Sequence, residues 1–331
     1  MDRGESVWNL FPARIRGGLQ AAGLDLELLQ EIRMRVGQPL LCLYEGREYF
    51  LSEKGKLRAG EKTGLIVSRE ELMETVSYVS RYSLYAFDEE LKQGYITIPG
   101  GHRVGIAGKI VMDGERIRCV KYISFLNVRL SHERKGCADA VFPYLIQGNR
   151  FCHTLIISPP KCGKTTLLRD IIRQASNGRG DLPGQNVGVV DERSEIGGSY
   201  RGIPQNDLGI RTDVLDCCPK SEGMMMLIRS MAPDIVAVDE IGDYRDSRAI
   251  ESVFHCGCKL LATVHGSSVD DVKKKPLLQN LIQYHCFECY IVLDHETSAG
   301  HVRDIFDGRG TPLLEQKSTH STDRTERNGM G

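Results

Sequence analysis

Apolar residues are arranged differently in the two halves of this chain, and the change falls near residue 146. In the second half, short unbroken apolar runs end in polar residues. His153–Ile157 runs into the 158–166 segment and Val187–Val190 into Asp191-Glu192-Arg193. Ile235–Val238 ends at Asp239-Glu240, and Lys259–Val264 ends at His265-Gly266. Runs of this kind suit strands buried on both faces of a parallel sheet. Leu167, Leu168, Ile171, Ile172 and Ala175 recur at helical spacing, and Met224–Met231 reads as a buried helix face with methionine filling gaps. Four strands with polar ends predict an α/β fold whose crevice lies at the C-terminal edge of the sheet.

The first half is more mixed and predicts an α+β unit. Val7 to Arg35 reads as mostly helical, broken at Gly23, and Gly37-Gln38-Pro39 as a turn. Leu40–Tyr44 and Glu48–Ser52 form a hairpin pattern. Ser68-Arg69-Glu70-Glu71 is a capping box opening a helix to about Tyr82, and a further helix is expected from Tyr85 to Lys92. Gly94–Ile98 and Arg103–Ile110 read as strands around Pro99-Gly100-Gly101, followed by strands at Arg116–Ile123 and Asn127–Leu130. The expected organisation is an N-terminal α+β domain over 1–145, an α/β domain over 146–315 and a disordered Ser/Thr/Arg/Asn-rich tail over 316–331.

The segment Ser158-Pro159-Pro160-Lys161-Cys162-Gly163-Lys164-Thr165-Thr166 lies between a predicted strand and a predicted helix. It reads as a phosphate-binding loop for ATP and Mg²⁺. Backbone N–H groups from Lys161 onward surround the phosphates, since Pro159 and Pro160 have none. Lys164 reaches the β- and γ-phosphates, and the Thr165 hydroxyl sits on the magnesium. The full pattern has glycine where this chain has Ser158; serine tolerates the extended backbone that Pro159 imposes on it. Asp239 is the expected second magnesium residue and Glu240 the residue that polarises the attacking water. His265 and Thr263 are candidates for sensing the γ-phosphate, and Glu192 for placing water; each also reads as a hydrogen-bonded strand terminus.

The 331 residues are 41% hydrophobic with a formal net charge of −1. That balance gives no global pull toward nucleic acid or anionic lipid, so no nucleic-acid partner is expected. No apolar run approaches a membrane span, and the first residues lack a signal-peptide core, which together predict a cytoplasmic protein. The 11 cysteines are expected to be reduced thiols. Cys256/Cys258 and Cys286/Cys289 have spacings that raise a zinc site, but Cys258 begins one expected core strand and Cys286 and Cys289 flank Phe287 before another, which favours burial as small hydrophobes. Residues 101–135 carry an excess of five positive charges. This is either a solvated basic face or a source of arginines that neutralise phosphate charge in a neighbouring subunit.

Over nearly the whole chain except the tail, the sequence resembles the stage III sporulation protein AA family, ATPases of spore-forming bacteria. The residues that carry the resemblance are Glu31–Leu40, Gly94–Gly108, Ser124–Arg129, the 158–170 loop, Val189–Ile196 and Met224–Gly242. Ser158 departs from the family's glycine. The family in turn resembles the motor ATPases of type II and type IV secretion and of pili. This implies a RecA-like P-loop core with a smaller N-terminal domain, and a homo-oligomeric ring of six subunits. It also implies membrane-embedded channel subunits as partners, at the inner face of the mother-cell membrane. Asp191-Glu192 and His265 take the places of the acidic and histidine boxes of those motors, and Arg103 and Arg129 are the implied arginines completing a neighbour's site. A nucleic-acid translocase and a nucleotide-dependent scaffold are the alternative readings.

Overall fold

The computed structural model describes residues 7–60, 63–83, 87–180, 182–294 and 300–314. The expected disordered tail lies outside these residues, as does the start of the helix expected from Tyr85. Two seven-stranded sheets organise the described chain.

The first sheet is antiparallel. Its strands are β1 (Leu29–Arg35), β2 (Leu41–Tyr44), β3 (Arg47–Leu51), β4 (Leu57–Arg58), β5 (Tyr95–Ile98), β6 (His102–Asp113) and β7 (Arg116–Arg129). Their spatial order is β4-β3-β2-β1-β7-β6-β5. Helices α1 (Ala13–Ala21), α2 (Arg69–Val79) and α3 (Asp88–Gln93) accompany it. Phe11, Ile15, Leu19, Ile32, Met34, Leu72, Val76 and Val128 belong to one buried cluster. The capping box forms as expected: the Glu71 N–H donates to Ser68 Oγ at 3.1 Å, and the Ser68 N–H donates to Glu71 Oε2 at 2.9 Å.

One expectation fails here. The second part of Val7–Arg35 is the strand β1, not helix. Its pairing with β2 shifts between Leu29 and Glu31, where a bulge places an extra residue. The buried positions therefore fall at 29, 32 and 34. The bulge turns one step of two into a step of three, which imitates helical spacing. The two strands expected at 116–123 and 127–130 are one continuous strand, β7.

The second sheet is built from β10 (Thr154–Ser158), β11 (Val187–Asp191), β12 (Thr212–Asp216), β13 (Ile235–Val238), β14 (Lys259–His265), β15 (Cys289–Asp294) and β16 (His301–Asp307); the short pair β8 (Ile146–Gln147) and β9 (Arg150–Phe151) precedes it. Its order is β12-β11-β13-β14-β10-β15-β16, parallel except for the β15–β16 pair. Between the strands run α4 (Lys164–Asn177), α5 (Lys220–Ser230), α6 (Asp246–His255), α7 (Val269–Val272) and α8 (Pro276–Gln283). Separate apolar clusters contain β10 residues of alternate parity, Ile156 in one and Leu155 and Ile157 in the other. The sheet is thus buried on both faces, which is why its strands read as unbroken apolar runs. On α5, Met224 and Leu227 are buried but Met226 is 53% exposed, so the methionine run is only partly core. Cys258 and Cys289 are buried among core side chains. No described helix is long and apolar enough to cross a membrane.

His153, just ahead of β10, accepts a hydrogen bond at Nδ1 from the Leu260 N–H at 3.1 Å and packs against Phe254 at 4.7 Å. Burial, then the nearby Lys259 charge, pulls its pKa from 6.5 down to about 4. A depressed histidine contributes stability that is complete above pH 6.5 and is lost as pH falls through 4. Urea unfolding between pH 7 and 4 should show a loss from this group of roughly 2 kcal/mol after allowance for partial exposure. His153→Asn, which keeps an acceptor but does not titrate, should flatten that dependence.

Candidate functional site

The site forms where β10, β11, β13 and β14 end on the same edge of the parallel sheet. β10 remains extended through Ser158, whose carbonyl accepts from the Gly266 N–H at 3.1 Å and whose hydroxyl donates to the Pro159 carbonyl at 2.8 Å. The left-handed freedom of glycine is therefore not needed at 158. It is needed at Gly163, where φ is +85° and the chain turns into α4. Lys161 also takes a positive φ, +63°. Cys162 points into the core, and its carbonyl accepts from the Gly300 N–H at 2.6 Å.

Lys164 opens α4 and is only 6% exposed. Its Nζ lies 2.7 Å from Glu240 Oε1 and 3.3 Å from Asp239 Oδ1. Thr165 Oγ1 donates to Asp239 Oδ2 at 2.8 Å, and Thr263 Oγ1 donates to Asp239 Oδ1. The same Thr263 oxygen accepts from the Glu240 N–H at 2.9 Å. Glu240 itself has φ +55°, a conformation that costs about 1 kcal/mol for a non-glycine residue. This turn carries its carboxylate back over Lys164. His265 Nε2 lies 2.9 Å from Glu240 Oε1, and Arg193 Nη1 lies 3.6 Å from Oε2. Burial raises the Glu240 pKa, but the Lys164 hydrogen bond and the charges of Lys164, His265 and Arg193 outweigh it, leaving the group below its usual 4.5.

The loop after β11 is tied from two sides. Asp191 accepts the N–H groups of Glu195, Ile196 and Gly197 at 2.7, 3.0 and 2.8 Å. Burial dominates its pKa and raises it despite those bonds. Arg169, buried on α4, donates to the carbonyls of Ile196 at 2.9 Å and Glu195 at 3.0 Å. Glu192 pairs with Lys220. A small cavity beside it is lined by Asp191, Glu192, Arg193, Lys220, Asp239 and Glu240.

Lys164, Thr165, Asp239, Glu240, Thr263 and His265 thus converge, with Glu192 at their margin. Arg103 and Arg129, from the first sheet, line a cavity of about 250 Å³ together with Thr165 and Arg169 of the same chain. Arg103 is engaged within the chain: it bonds Glu195 at 3.1 Å and the Arg193 carbonyl, and its guanidinium lies 4.6 Å over the Tyr95 ring. Arg129 is paired with Glu31 at 3.4 Å and its side chain is 62% exposed. Sequence reasoning missed Arg169 and Arg193. The signal for Arg169 was a charge among the apolar positions of α4; Arg193 carried none beyond its place after two acids.

The donor set suits a polyphosphate with a divalent cation. A buried ammonium opens a helix N-terminus, and a hydroxyl and a carboxylate 2.8 Å apart lie beside it. Solved structures with a similar fold include an ATPase and a pilus retraction motor. The ATPase DotB of Legionella pneumophila superposes with a TM-score of 0.55 at 16% identity, over 85% of this chain and 77% of that one. The pilus retraction motor PilT with bound ADP gives 0.50 at 13% identity, over 82% and 75%. The fold is the α/β, RecA-like fold of secretion ATPases, joined here to a smaller α+β unit. Residues 1–313 match the family described as sporulation stage III, protein AA, and the chain belongs to that family. It is 41% identical over 285 residues to stage III sporulation protein AA of Bacillus subtilis (strain 168), covering 86% of this chain and 89% of that protein. Protein SEEDLING PLASTID DEVELOPMENT 1 of Arabidopsis thaliana is 33% identical over 159 residues, 47% of this chain and 22% of its own length.

Proposed function

We propose that this protein is a magnesium-dependent ATPase working as a ring of six subunits at the cytoplasmic face of the mother-cell membrane, where it drives a secretion-like channel complex during sporulation. The observation that carries the enzymatic part is the convergence of Lys164, Thr165, Asp239 and Glu240 at one sheet edge. Magnesium triphosphate supplies a phosphoanhydride whose charge the metal partly neutralises. Lys164 and the N–H groups from Lys161 onward bind its phosphate oxygens, while Thr165 and Asp239 hold the cation. Glu240, kept ionised by its neighbours, orients a water and holds its proton. Thr263 and His265 fix the two acids in place. Arg129, and Arg103 if freed from its partners, are the arginines proposed to serve an adjacent subunit. Family membership and the fold shared with DotB and PilT support the ring and the sporulation role.

Purified protein should release phosphate from ATP with magnesium and stop when EDTA removes the metal. Its particle mass by light scattering should rise from monomer toward hexamer with ATP and magnesium. Absence of magnesium-dependent turnover in the assembled particle would refute the hydrolytic reading.

A further inference from the structure

The geometry points to Arg193 as a positioning residue that lets the first sheet set the orientation of Glu240. This rests on the reading of Glu240 as the residue that handles water. Of the two Glu240 oxygens, Oε1 is held by Lys164 at 2.7 Å and His265 at 2.9 Å, whereas Oε2 faces Arg193 Nη1 at 3.6 Å. The Arg193 side chain belongs to the second sheet's site, but its backbone carbonyl is gripped from the first sheet. Tyr95 on β5 donates its hydroxyl to that carbonyl at 3.1 Å, and Arg103 on β6 donates to it as well. The Arg103 guanidinium also lies over the Tyr95 ring, so the two donors support each other.

Downstream, the loop is fixed to its own sheet: Asp191 holds three N–H groups of residues 195–197, and Arg169 holds two carbonyls. Ser194, with φ +53°, is the residue between the two anchorages. A shift of the first sheet relative to the second pulls on the Arg193 carbonyl, and through Arg103 on the Glu195 side chain, while the backbone of 195–197 stays in place. The displacement falls on Arg193 and Ser194, and the guanidinium moves relative to Oε2. The Arg193 side chain is 68% exposed, so the ion pair adds little to folding, and its effect is on the direction of the carboxylate.

The test compares wild type with Arg193→Gln, Tyr95→Ala and the pair combined, using full-length protein, ATP and magnesium. Arg193→Gln should leave the melting temperature and the affinity for a fluorescent ATP analogue unchanged, while single-turnover hydrolysis falls about tenfold. Tyr95→Ala should slow hydrolysis similarly, and the double variant should be no more than about twofold slower than either alone, because both act through one linkage. Amide hydrogen exchange over 192–194, measured without nucleotide, should quicken in Tyr95→Ala while 195–197 stays protected. Tyr95→Phe, which keeps the ring, serves if the alanine variant folds poorly and should show the same exchange pattern in weaker form. A wild-type rate in Arg193→Gln, a multiplicative loss in the double variant, or unchanged exchange would overturn the linkage. A wild-type protein without turnover would instead sink the hydrolytic reading, and the exchange result would still report on the grip.

Discussion

Lys164→Ala is expected to lower ATP turnover by about 10²–10³-fold, the usual cost of deleting one preorganised group that meets developing charge. The lysine is almost fully buried and sits between two carboxylates. Truncation removes the cation proposed to bind the terminal phosphates. It also leaves Asp239 and Glu240 facing each other with less opposing charge, which raises the pKa of Glu240 and places a second anion where phosphate must approach. Nucleotide affinity should therefore fall along with the rate. A fully buried pair broken this way costs several kcal/mol, but Thr165, Thr263, His265 and Arg193 still contact the acids, so the loss of stability should be nearer about 1–2 kcal/mol. Phosphate release, analogue binding and thermal melts on the same preparation measure the three quantities. A variant that binds and turns over like wild type would remove Lys164 from the site.

Glu240→Gln should separate binding from turnover. The amide has nearly the shape of the acid but cannot hold a proton from water, and loss of a general base typically costs about 10²–10⁴-fold. The same change removes an anion 2.7 Å from Lys164, so the ammonium is less occupied and ATP should bind at least as tightly as in wild type. Phosphate release should nearly vanish while the analogue titration stays in place or shifts to lower concentration. In wild type the carboxyl lies below 4.5, so the ionised, working form is full above that value and is lost as pH falls below it. A Glu240→Gln protein that hydrolyses ATP normally would assign the water to another group, with Glu192 in the adjoining cavity the first candidate.

How much of this was legible in the chain depended on whether the signal was local. The strand–turn–helix around residues 158–166 was readable because its parts follow one another in sequence, and because β10 and α4 are buried in ways their residues announce. Asp239 and Glu240 were readable as the polar end of an apolar run. Their joint hold on Lys164 depends on a backbone turn at Glu240 that no residue type signals, since glutamate rarely takes a positive φ. β1 was misread because one bulge altered the spacing of its buried side chains. Arg103 was pointed to by the family resemblance, but its contacts with Tyr95, Glu195 and the Arg193 carbonyl depend on how two sheets meet, and sequence periodicity carries nothing about that.

The strand order of the second sheet also governs when the site can be born. β10 pairs with β14, whose Leu261 lies opposite Thr154, and with β15, whose Cys289 lies opposite the same residue. Both partners emerge from the ribosome more than a hundred residues after the strand they must flank. Closing such long loops is slow, and pairings of this kind set the pace of folding. On a growing chain, much of the first sheet can zip early from neighbouring hairpins, while the 158–166 loop waits beside an incomplete sheet until synthesis has passed β15.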